Sequence, residues 1–178
     1  MAEQEVQREW WRVACFSIPA IMLAGSLSGW LSNSGYGNEW FDALAKPSFM
    51  PPGWLFGVVW PILYFLLGLA VALILAEPDS KTRRNALILF FAQLALNFAW
   101  SPVFFGMHMI DVALVIIVGM LAMTLSAARY VRRIRPIAGW LMLPYLLWLC
   151  LATVLNYETG RLNPGADAAP LGITGVKS

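Results

Sequence analysis

The stretch WLFGVVWPILYFLLGLAVALILA, from Trp54 to Ala76, decides the fold of this chain. It contains no Lys, Arg, Asp or Glu, and an apolar helix of about 20 residues spans the hydrocarbon core of a bilayer. A strand of a membrane barrel would alternate apolar and polar residues over about ten positions, whereas this stretch is continuously apolar. It therefore predicts a transmembrane helix, in which the backbone groups are hydrogen-bonded within the segment.

Four more stretches share this character, and the composition agrees with them. Of the 178 residues, 60% are hydrophobic and 12% are charged, whereas soluble domains carry about 25% charged residues. The predicted spans, in chain order, are Val13–Leu31, Trp54–Ala76, Ala86–Phe105, Val112–Ala128 and Ile137–Tyr157. The sequence thus predicts an all-α membrane protein, a bundle of five transmembrane helices over residues 13–163. Residues 164–178 are rich in Gly, Ala and Pro and are expected to form a disordered tail.

The basic residues are distributed unequally between the two sides of the predicted bundle. One side has nine of them, and they are Arg8, Arg12, Lys81, Arg83, Arg84, Arg129, Arg132, Arg133 and Arg135. The other side has Lys46, Arg161 and Lys177. Loops rich in Lys and Arg stay in the cytoplasm, so the N-terminal segment 1–12 is expected inside, the C-terminus outside, and the protein in a bacterial inner membrane. The sequence lacks the continuous basic face that would bind nucleic acid.

The first loop, Ser32–Gly53, is the longest connection between the predicted spans. Trp40, Phe41 and Leu44 recur in it at helical spacing, and a Lys-Pro pair and a Pro-Pro pair follow them. This pattern predicts a short amphipathic helix, followed by a stretch that the prolines keep extended. Because long ordered loops often serve as lids, we expect this loop to cover part of the bundle.

Polar and aromatic side chains recur at helical spacing within the uncharged spans. They are Trp60 and Tyr64 on the second span, Gln93, Asn97 and Trp100 on the third, and Tyr145 and Trp148 on the fifth. Residues three or four apart lie on one helix face. An amide buried in lipid without a partner costs several kcal/mol, so these faces are expected to point inward. They predict a pocket walled by indole and phenol rings, with hydrogen bonds offered by Asn97 and Gln93.

Other interpretations of these residues remain open. Asn97 and Gln93 can instead hydrogen-bond neighbouring helices, and tryptophans can anchor spans at the membrane interface. The steps Gly25–Gly29 and Ala95–Ala99 place small residues four apart. Such steps serve either a dimer interface or packing within one bundle.

Conventional catalytic and metal-binding patterns are absent from the sequence. Cys15 and Cys150 both lie in apolar runs, and the single histidine, His108, lies in a short loop. No spacing typical of a zinc, iron–sulfur or haem site occurs, and no acidic residue lies in mid-span to relay protons or sodium ions. We therefore expect neither a metal nor a cofactor.

Three strings are similar to the signature of the TspO/MBR family, the tryptophan-rich sensory and translocator proteins. They are WFDALAKPSFMPPGWLFGVVWPILY (Trp40 to Tyr64), QLALNFAWSPVFF (Gln93 to Phe105) and PYLLWLCLATVLNYETGRLN (Pro144 to Asn163). The resemblance implies a homodimeric five-helix bundle with a pocket beneath the first loop. It also implies binding of porphyrins such as protoporphyrin IX, with a lipid or sterol as a further partner. The family's ligand contacts fall on Trp40, Trp60, Asn97 and Trp148 here, and Phe49 stands where the family often has Trp.

The family's proposed sterol motif falls on Leu155, Tyr157 and Arg161, although patterns of this kind are weak. Tyr157 and Arg161 equally suit an anchor at the membrane interface. Relatives have been placed in outer membranes, so the resemblance leaves that location as an alternative.

Three functions agree with the residues and with the resemblance. The leading hypothesis is a sensory protein that binds porphyrin, with the propionates of the ligand near Lys46 or Arg161. The second is light-dependent breakdown of the porphyrin, with Trp60 and Trp148 as the candidate catalytic residues. The third is facilitated transport of a porphyrin or sterol, which requires no acidic residue within the membrane.

Overall fold

The computed structural model describes the backbone of residues 2–174 and the side chains of residues 10–174. Secondary structure within this part of the chain is helical, without strands. The helices are α1 (Ala2–Leu31), α2 (Glu39–Ala43), α3 (Gly53–Leu75), α4 (Lys81–Ser101), α5 (Ile110–Ile134), α6 (Pro136–Leu141) and α7 (Leu143–Leu162). A π-helical turn, Pro102–Gly106, continues α4.

Five helical segments are long and apolar enough to cross a membrane, and they confirm the predicted fold class. They are Trp10–Leu31, Gly53–Leu75, Lys81–Gly106, Ile110–Ile134 and Pro136–Leu162. The fourth segment extends past the predicted end at Ala128 because its helix continues through Arg129, Arg132 and Arg133. Long arginine side chains reach out of the apolar layer while their backbone stays helical, so a charged residue does not mark the end of a helix.

The spans form a closed ring whose order differs from their order in the sequence. α1 packs against α3, α3 against α6 and α7, α7 against α5, α5 against α4, and α4 against α1. Leu67, Phe90 and Ile117 are almost completely buried inside the ring, whereas Phe16 and Leu23 on α1 are 78% and 70% exposed. Apolar side chains on the outer surface are suited to contact with lipid.

Small residues bring α1 close to its neighbours. A Cβ atom on Gly68 would lie only 2.6 Å from the Cα atom of Ile18, so the backbones of α1 and α3 are in direct contact there. The Ser17 hydroxyl donates to the Gly68 carbonyl at 2.8 Å, and the Ser28 hydroxyl donates to the Phe98 carbonyl at 2.6 Å. Close approach and hydroxyl hydrogen bonds are the usual contacts between helices in lipid.

Charged side chains close the end of the bundle where α3 turns into α4. Arg83 donates from Nε to the Ile74 carbonyl at 3.1 Å and from Nη2 to the Leu75 carbonyl at 2.9 Å. The Ile74 carbonyl also accepts from the Glu77 N–H at 3.2 Å, so Arg83 adds side-chain donors at the end of α3, where the last carbonyls lack partners within the helix. Arg135 forms an ion pair with Glu77 at 2.9 Å, which joins the α3–α4 turn to the start of α6.

The π-helical turn after α4 begins at Pro102, and the Met107 N–H donates to the Pro102 carbonyl at 2.9 Å. Proline has no backbone N–H, so the Phe98 carbonyl one turn earlier lacks its usual helical donor and accepts from the Ser28 hydroxyl instead. The turn places Phe104 and Phe105 in the interior, where both are buried.

The long first loop carries the short helix that the sequence predicts, α2. We call residues 32–52 the lid. The Asn38 side chain caps α2 by accepting from the Phe41 N–H at 3.0 Å, and Phe41 and Leu44 are buried. The lid therefore attaches to the bundle through the apolar face of α2.

The segment after α7 differs from the disordered tail that its composition predicts. Residues 164–174 lie against the start of α5, where Asp167 and Thr174 are buried. The Asp111 carboxylate accepts hydrogen bonds from the Leu171 and Ile173 N–H groups at 2.9 and 3.1 Å. Composition cannot reveal this, because the partner is a buried carboxylate about sixty positions earlier. Residues 175–178 of the predicted tail lie outside the described residues.

Candidate functional site

A cavity of about 720 Å³ lies within the helix ring, beneath the lid. Its volume is within the range of about 300–1,000 Å³ that small-molecule sites occupy. All five spans and the lid contribute to its wall. Five of the residues that the sequence pattern predicts for the site line it, and they are Trp60, Tyr64, Asn97, Trp100 and Trp148.

Aromatic rings in mutual contact form one side of the cavity. The rings of Trp60 and Trp148 meet edge to face, with centroids 6.4 Å apart, and Trp148 makes a similar contact with Phe56 at 5.5 Å. The Trp60 ring also lies 5.2 Å from that of Tyr64. Contacts of this kind contribute about 0.5–1.5 kcal/mol each beyond area burial, so they hold the rings in place and leave apolar surfaces facing the cavity.

The polar boundary of the cavity is a chain of side-chain hydrogen bonds between helices. The Tyr64 hydroxyl donates to Asn97 Oδ1 at 2.9 Å, and Asn97 Nδ2 donates to the Tyr145 hydroxyl at 2.9 Å. The Tyr145 hydroxyl then donates to Met120 Sδ at 3.9 Å. An amide has two N–H donors and a carbonyl with two lone pairs, so Asn97 retains a donor and an acceptor for a ligand.

The described residues that line the cavity carry no charge. Lys46 and Arg161, the expected partners of ligand propionates, lie elsewhere. Lys46 Nζ donates to the Phe41, Asp42 and Leu44 carbonyls at 2.8 to 3.2 Å, and so caps the short helix α2. Arg161 pairs with Glu158 at 2.7 Å, and its side chain is 54% exposed. Neither cation belongs to the cavity wall, but Lys46 Nζ lies 5.6 and 4.7 Å from the ring centroids of Tyr36 and Phe41, which do line it. A contact between these cations and ligand propionates at the rim stays a prediction.

Three predicted site residues lie outside the cavity wall. Tyr145 and Gln93 are completely buried, and Tyr145 supports Asn97 from behind. The Gln93 side chain is one turn before Asn97 on α4, where Gln93 Oε1 lies 3.4 Å from the Thr124 hydroxyl and Nε2 has no hydrogen-bond partner. Trp40 lies on the lid and stacks on His108, with ring centroids 4.3 Å apart.

The structure adds aromatic and glycine residues that the sequence pattern does not assign to the site. They include Gly25, Gly29, Trp30, Tyr36, Phe41, Trp54, Phe56 and Phe105. Phe56 lies one turn before Trp60, so helical spacing could have identified it. The two glycines instead suggest a packing step, and a Cβ atom on Gly25 would overlap the Tyr64 ring. Residues of α1 and of the lid line the cavity because the fold places α1 beside α3 and α4 and places the lid over the cavity. Spacing within one helix cannot predict this.

The three residues of the weak sterol motif do not form one surface. Leu155 is buried and lines a second cavity of about 60 Å³ beside the first. Tyr157 is 40% exposed, because residues two apart point to nearly opposite faces of a helix. Arg161 is paired with Glu158. Among the described residues, no group of three His, Cys, Asp or Glu side chains is placed to hold a metal ion.

Comparison with known proteins gives the relationship directly. Residues 17–162 match the TspO/MBR family. The chain belongs to the TspO/MBR family. It is 40% identical to the tryptophan-rich sensory protein of Cereibacter sphaeroides over 126 residues, which is 71% of this chain and 78% of that protein. It is also 40% identical to the human translocator protein over 135 residues, 74% of this chain and 79% of that protein. The tryptophan-rich protein TspO of Archaeoglobus fulgidus is 35% identical over 150 residues, 83% of this chain and 94% of that protein.

TspO/MBR membership confirms the resemblance seen in the sequence strings. The matched region begins within α1 and ends at the last residue of α7, so it contains the described cavity lining. Together with the five apolar helices, membership establishes an integral membrane protein of a sensory and translocator family.

Asn97 and Gln93 allow a matched test of the hydrogen-bond chain, because both are buried amides on α4. Asn97→Ala leaves two buried tyrosine hydroxyls without their partner, and we expect it to lower the free energy of unfolding by about 1–3 kcal/mol. Gln93→Met removes an amide whose Nε2 atom has no partner, and we expect a change below about 1 kcal/mol. Thermal unfolding of the detergent-purified variants measures both. An equal loss of stability in both variants would contradict this assignment.

Proposed function

We propose that this protein binds a porphyrin within the membrane and senses it, with protoporphyrin IX as the ligand to test. The observation that carries the proposal is the cavity, in which aromatic rings form an apolar wall and Tyr64 and Asn97 form a polar boundary. A planar, largely apolar macrocycle matches walls of this kind, because ring faces and edges make favourable contacts with one another. Membership of the TspO/MBR family supports the sensory or translocator role within the membrane, and the ligand class is inferred from the cavity wall.

The uncharged lining implies an orientation for the ligand. Burying an ionised carboxylate without a cation or several hydrogen bonds is strongly unfavourable. Trp30 at the end of α1 and Trp54 at the start of α3 line the cavity beside the lid and are 76% and 69% exposed, so we place the opening of the cavity at these two residues. The macrocycle therefore occupies the aromatic interior, and its propionates remain at this open side, near the membrane interface.

A second candidate function is light-dependent breakdown of the bound porphyrin. The contact between Trp60 and Trp148 favours it, because both rings lie at the cavity wall and 6.4 Å from each other. An excited macrocycle in this cavity would have two oxidisable indoles as immediate neighbours. This candidate requires the same binding site as the first and adds a photo-oxidation to it, with dissolved oxygen as the oxidant.

A titration of the detergent-purified protein with protoporphyrin IX in the dark tests the binding site. We expect saturable quenching of tryptophan fluorescence, and we expect Trp148→Phe to weaken binding about five- to tenfold, because one large wall contact is lost. Trp140→Phe is the matched control. Trp140 is 59% exposed and lies over Arg132, away from the cavity, so this change should leave the affinity unaltered.

The two candidate functions give different results when the saturated complex is illuminated. Formation of a new product that Trp148→Phe does not form supports breakdown, whereas slow bleaching that is equal in both proteins supports binding alone. Quenching that does not saturate, or equal affinity for wild type and Trp148→Phe, would refute the proposed site.

The dimethyl ester of protoporphyrin IX tests the proposed orientation. Because no cation lines the described cavity, esterification should leave the affinity at least as high as that of the diacid. The comparison uses the same quenching titration, with both ligands at equal detergent concentration. Loss of binding by the ester would show that a cation holds the carboxylates, and would contradict the orientation.

We propose that the N-terminus lies in the cytoplasm and that the protein resides in the bacterial inner membrane. The excess of basic residues at one end of the bundle supports this orientation. Glu39 and Lys81 are exposed at opposite ends. In intact cells, a membrane-impermeant maleimide should label Glu39→Cys and should label Lys81→Cys only after permeabilisation. The reverse pattern would contradict the orientation, and the unsubstituted chain controls for Cys15 and Cys150.

A further inference from the structure

The segment that follows α7, residues 163–174, crosses the end of the bundle and contacts both α5 and the lid. We call this segment the strap. Its backbone and side chains make eight hydrogen bonds to residues 45, 108, 110 and 111. The cavity lining includes no residue of the strap, and the proposed binding function does not account for these bonds.

The strap is anchored at its far end by a buried charge. Asp111 is completely buried, and its carboxylate accepts from the N–H groups of Leu171 and Ile173 and from the Thr174 hydroxyl, at 2.9, 3.1 and 2.7 Å. A buried carboxylate requires several hydrogen bonds to offset the loss of hydration. The described donors to this carboxylate come from the strap, so detachment of the strap would leave Asp111 without them.

The middle of the strap caps α5. Met109 precedes this helix and offers no side-chain cap, and the Asp167 carboxylate accepts instead from the N–H groups of Ile110 and Asp111 at 3.1 and 2.8 Å. The first N–H groups of a helix have no partner within it, and a carboxylate there is favoured by the helix dipole. The strap thus supplies the N-terminal cap that the residue before α5 does not provide.

Two contacts connect the strap to the lid. The Asn163 side chain accepts from the Ala45 N–H and donates to the Ala45 carbonyl, both at 2.8 Å. The Ala168 N–H donates to the His108 carbonyl at 2.9 Å, and the His108 ring stacks on Trp40 of the lid.

His108 has a φ of +58°, a region unfavourable for residues other than glycine. The contacts on its two sides hold this conformation.

The lid residues held in this way are next to the cavity. Phe41 lies between Trp40 and Ala45 in the sequence and lines the cavity. It packs with Phe104 and Phe105 in a cluster that Ala166 of the strap also contacts. The position of the Phe41 ring therefore depends on contacts that lie outside the cavity.

We infer that the strap holds the lid closed over the cavity, with Asp111, Asp167 and Asn163 as positioning residues for the ligand site. The role in ligand retention rests on the proposed binding function, whereas the attachment of the lid does not. The lid is attached to the bundle at its ends and through Phe41 and Leu44 of α2, and a segment with few such contacts opens by local unfolding at little cost. The strap adds hydrogen bonds to Ala45 in the lid and holds His108, on which Trp40 of the lid stacks. Lid opening therefore requires loss of the Ala45 hydrogen bonds and of the Trp40–His108 contact.

Hydrogen exchange of the ligand-free, full-length protein tests the attachment. Asp167→Asn keeps the size of the side chain but replaces one carboxylate oxygen with an NH2 group. That group cannot accept a hydrogen bond from the α5 N–H group that it faces. We expect amide exchange in lid peptides covering residues 40–45 to accelerate about tenfold or more, because bonds to a charged acceptor are among the strong ones.

Thr174→Val is a milder variant that removes one bond to Asp111, and we expect a smaller acceleration in the same peptides. Asp79→Asn, an exposed carboxylate beside Arg83, is the control and should leave lid exchange unchanged.

The second readout is the dissociation rate of protoporphyrin IX, measured by displacement. We expect faster dissociation for Asp167→Asn and Thr174→Val, with the association rate little changed, whereas a general loss of folded protein would lower only the fraction that binds. Accelerated exchange in residues 164–174 with unaltered lid exchange would overturn the inference. If Asp167→Asn does not fold, unaltered lid exchange in Thr174→Val would overturn it equally. Faster lid exchange without saturable porphyrin binding by the wild type would support the strap and refute the proposed function.

Discussion

Tyr64, Asn97, Tyr145 and Met120 form one hydrogen-bond chain, and each belongs to a different span. In hydrocarbon there is no water to satisfy a displaced polar group, so this chain determines how α3, α4, α5 and α7 face one another. The aromatic rings around this chain contact one another edge to face, and these contacts fix the rings at the cavity wall. A cavity remains in the middle of the ring because the bonded groups lie at its boundary and the small residues of α1 complete the wall.

The same scarcity of water explains where the charged residues lie. At one end of the bundle, Arg83 donates to a carbonyl of α3 and Arg135 forms an ion pair with Glu77. Lys46 caps the short helix of the lid. Two carboxylates are buried, Asp111 and Asp167: the strap provides the hydrogen bonds of Asp111, and Asp167 of the strap caps α5. Charge in this protein is thus used to close helix ends and to attach loops, while the cavity is formed by neutral side chains.

Helical spacing predicted which side chains line the cavity where a residue's own helix decides its direction. Trp60 and Tyr64 on α3, Asn97 and Trp100 on α4, and Trp148 on α7 are all on inward faces, and all line the cavity. Gln93 shares the face of Asn97 but lies one turn further from the cavity. Trp40 follows the spacing of α2, yet that helix turns it towards His108. Periodicity gives the face of a helix, but neither the depth of the cavity nor the packing of a short helix.

The sequence by itself determined the five spans, the short helix in the first loop, the inward faces of the spans and the TspO/MBR relationship. These features depend on local hydrophobic runs, on residues three or four apart, and on strings of adjacent residues. Only the tertiary structure decided the order of helices in the ring, the contribution of Gly25 and Gly29 to the cavity, the absence of charge from its described lining, and the attachment of residues 164–174 to Asp111. Each of these features depends on contacts between residues far apart in the chain. The partner of a buried carboxylate or of a closely packed glycine is the residue that the fold places beside it, and a local sequence pattern does not identify that residue.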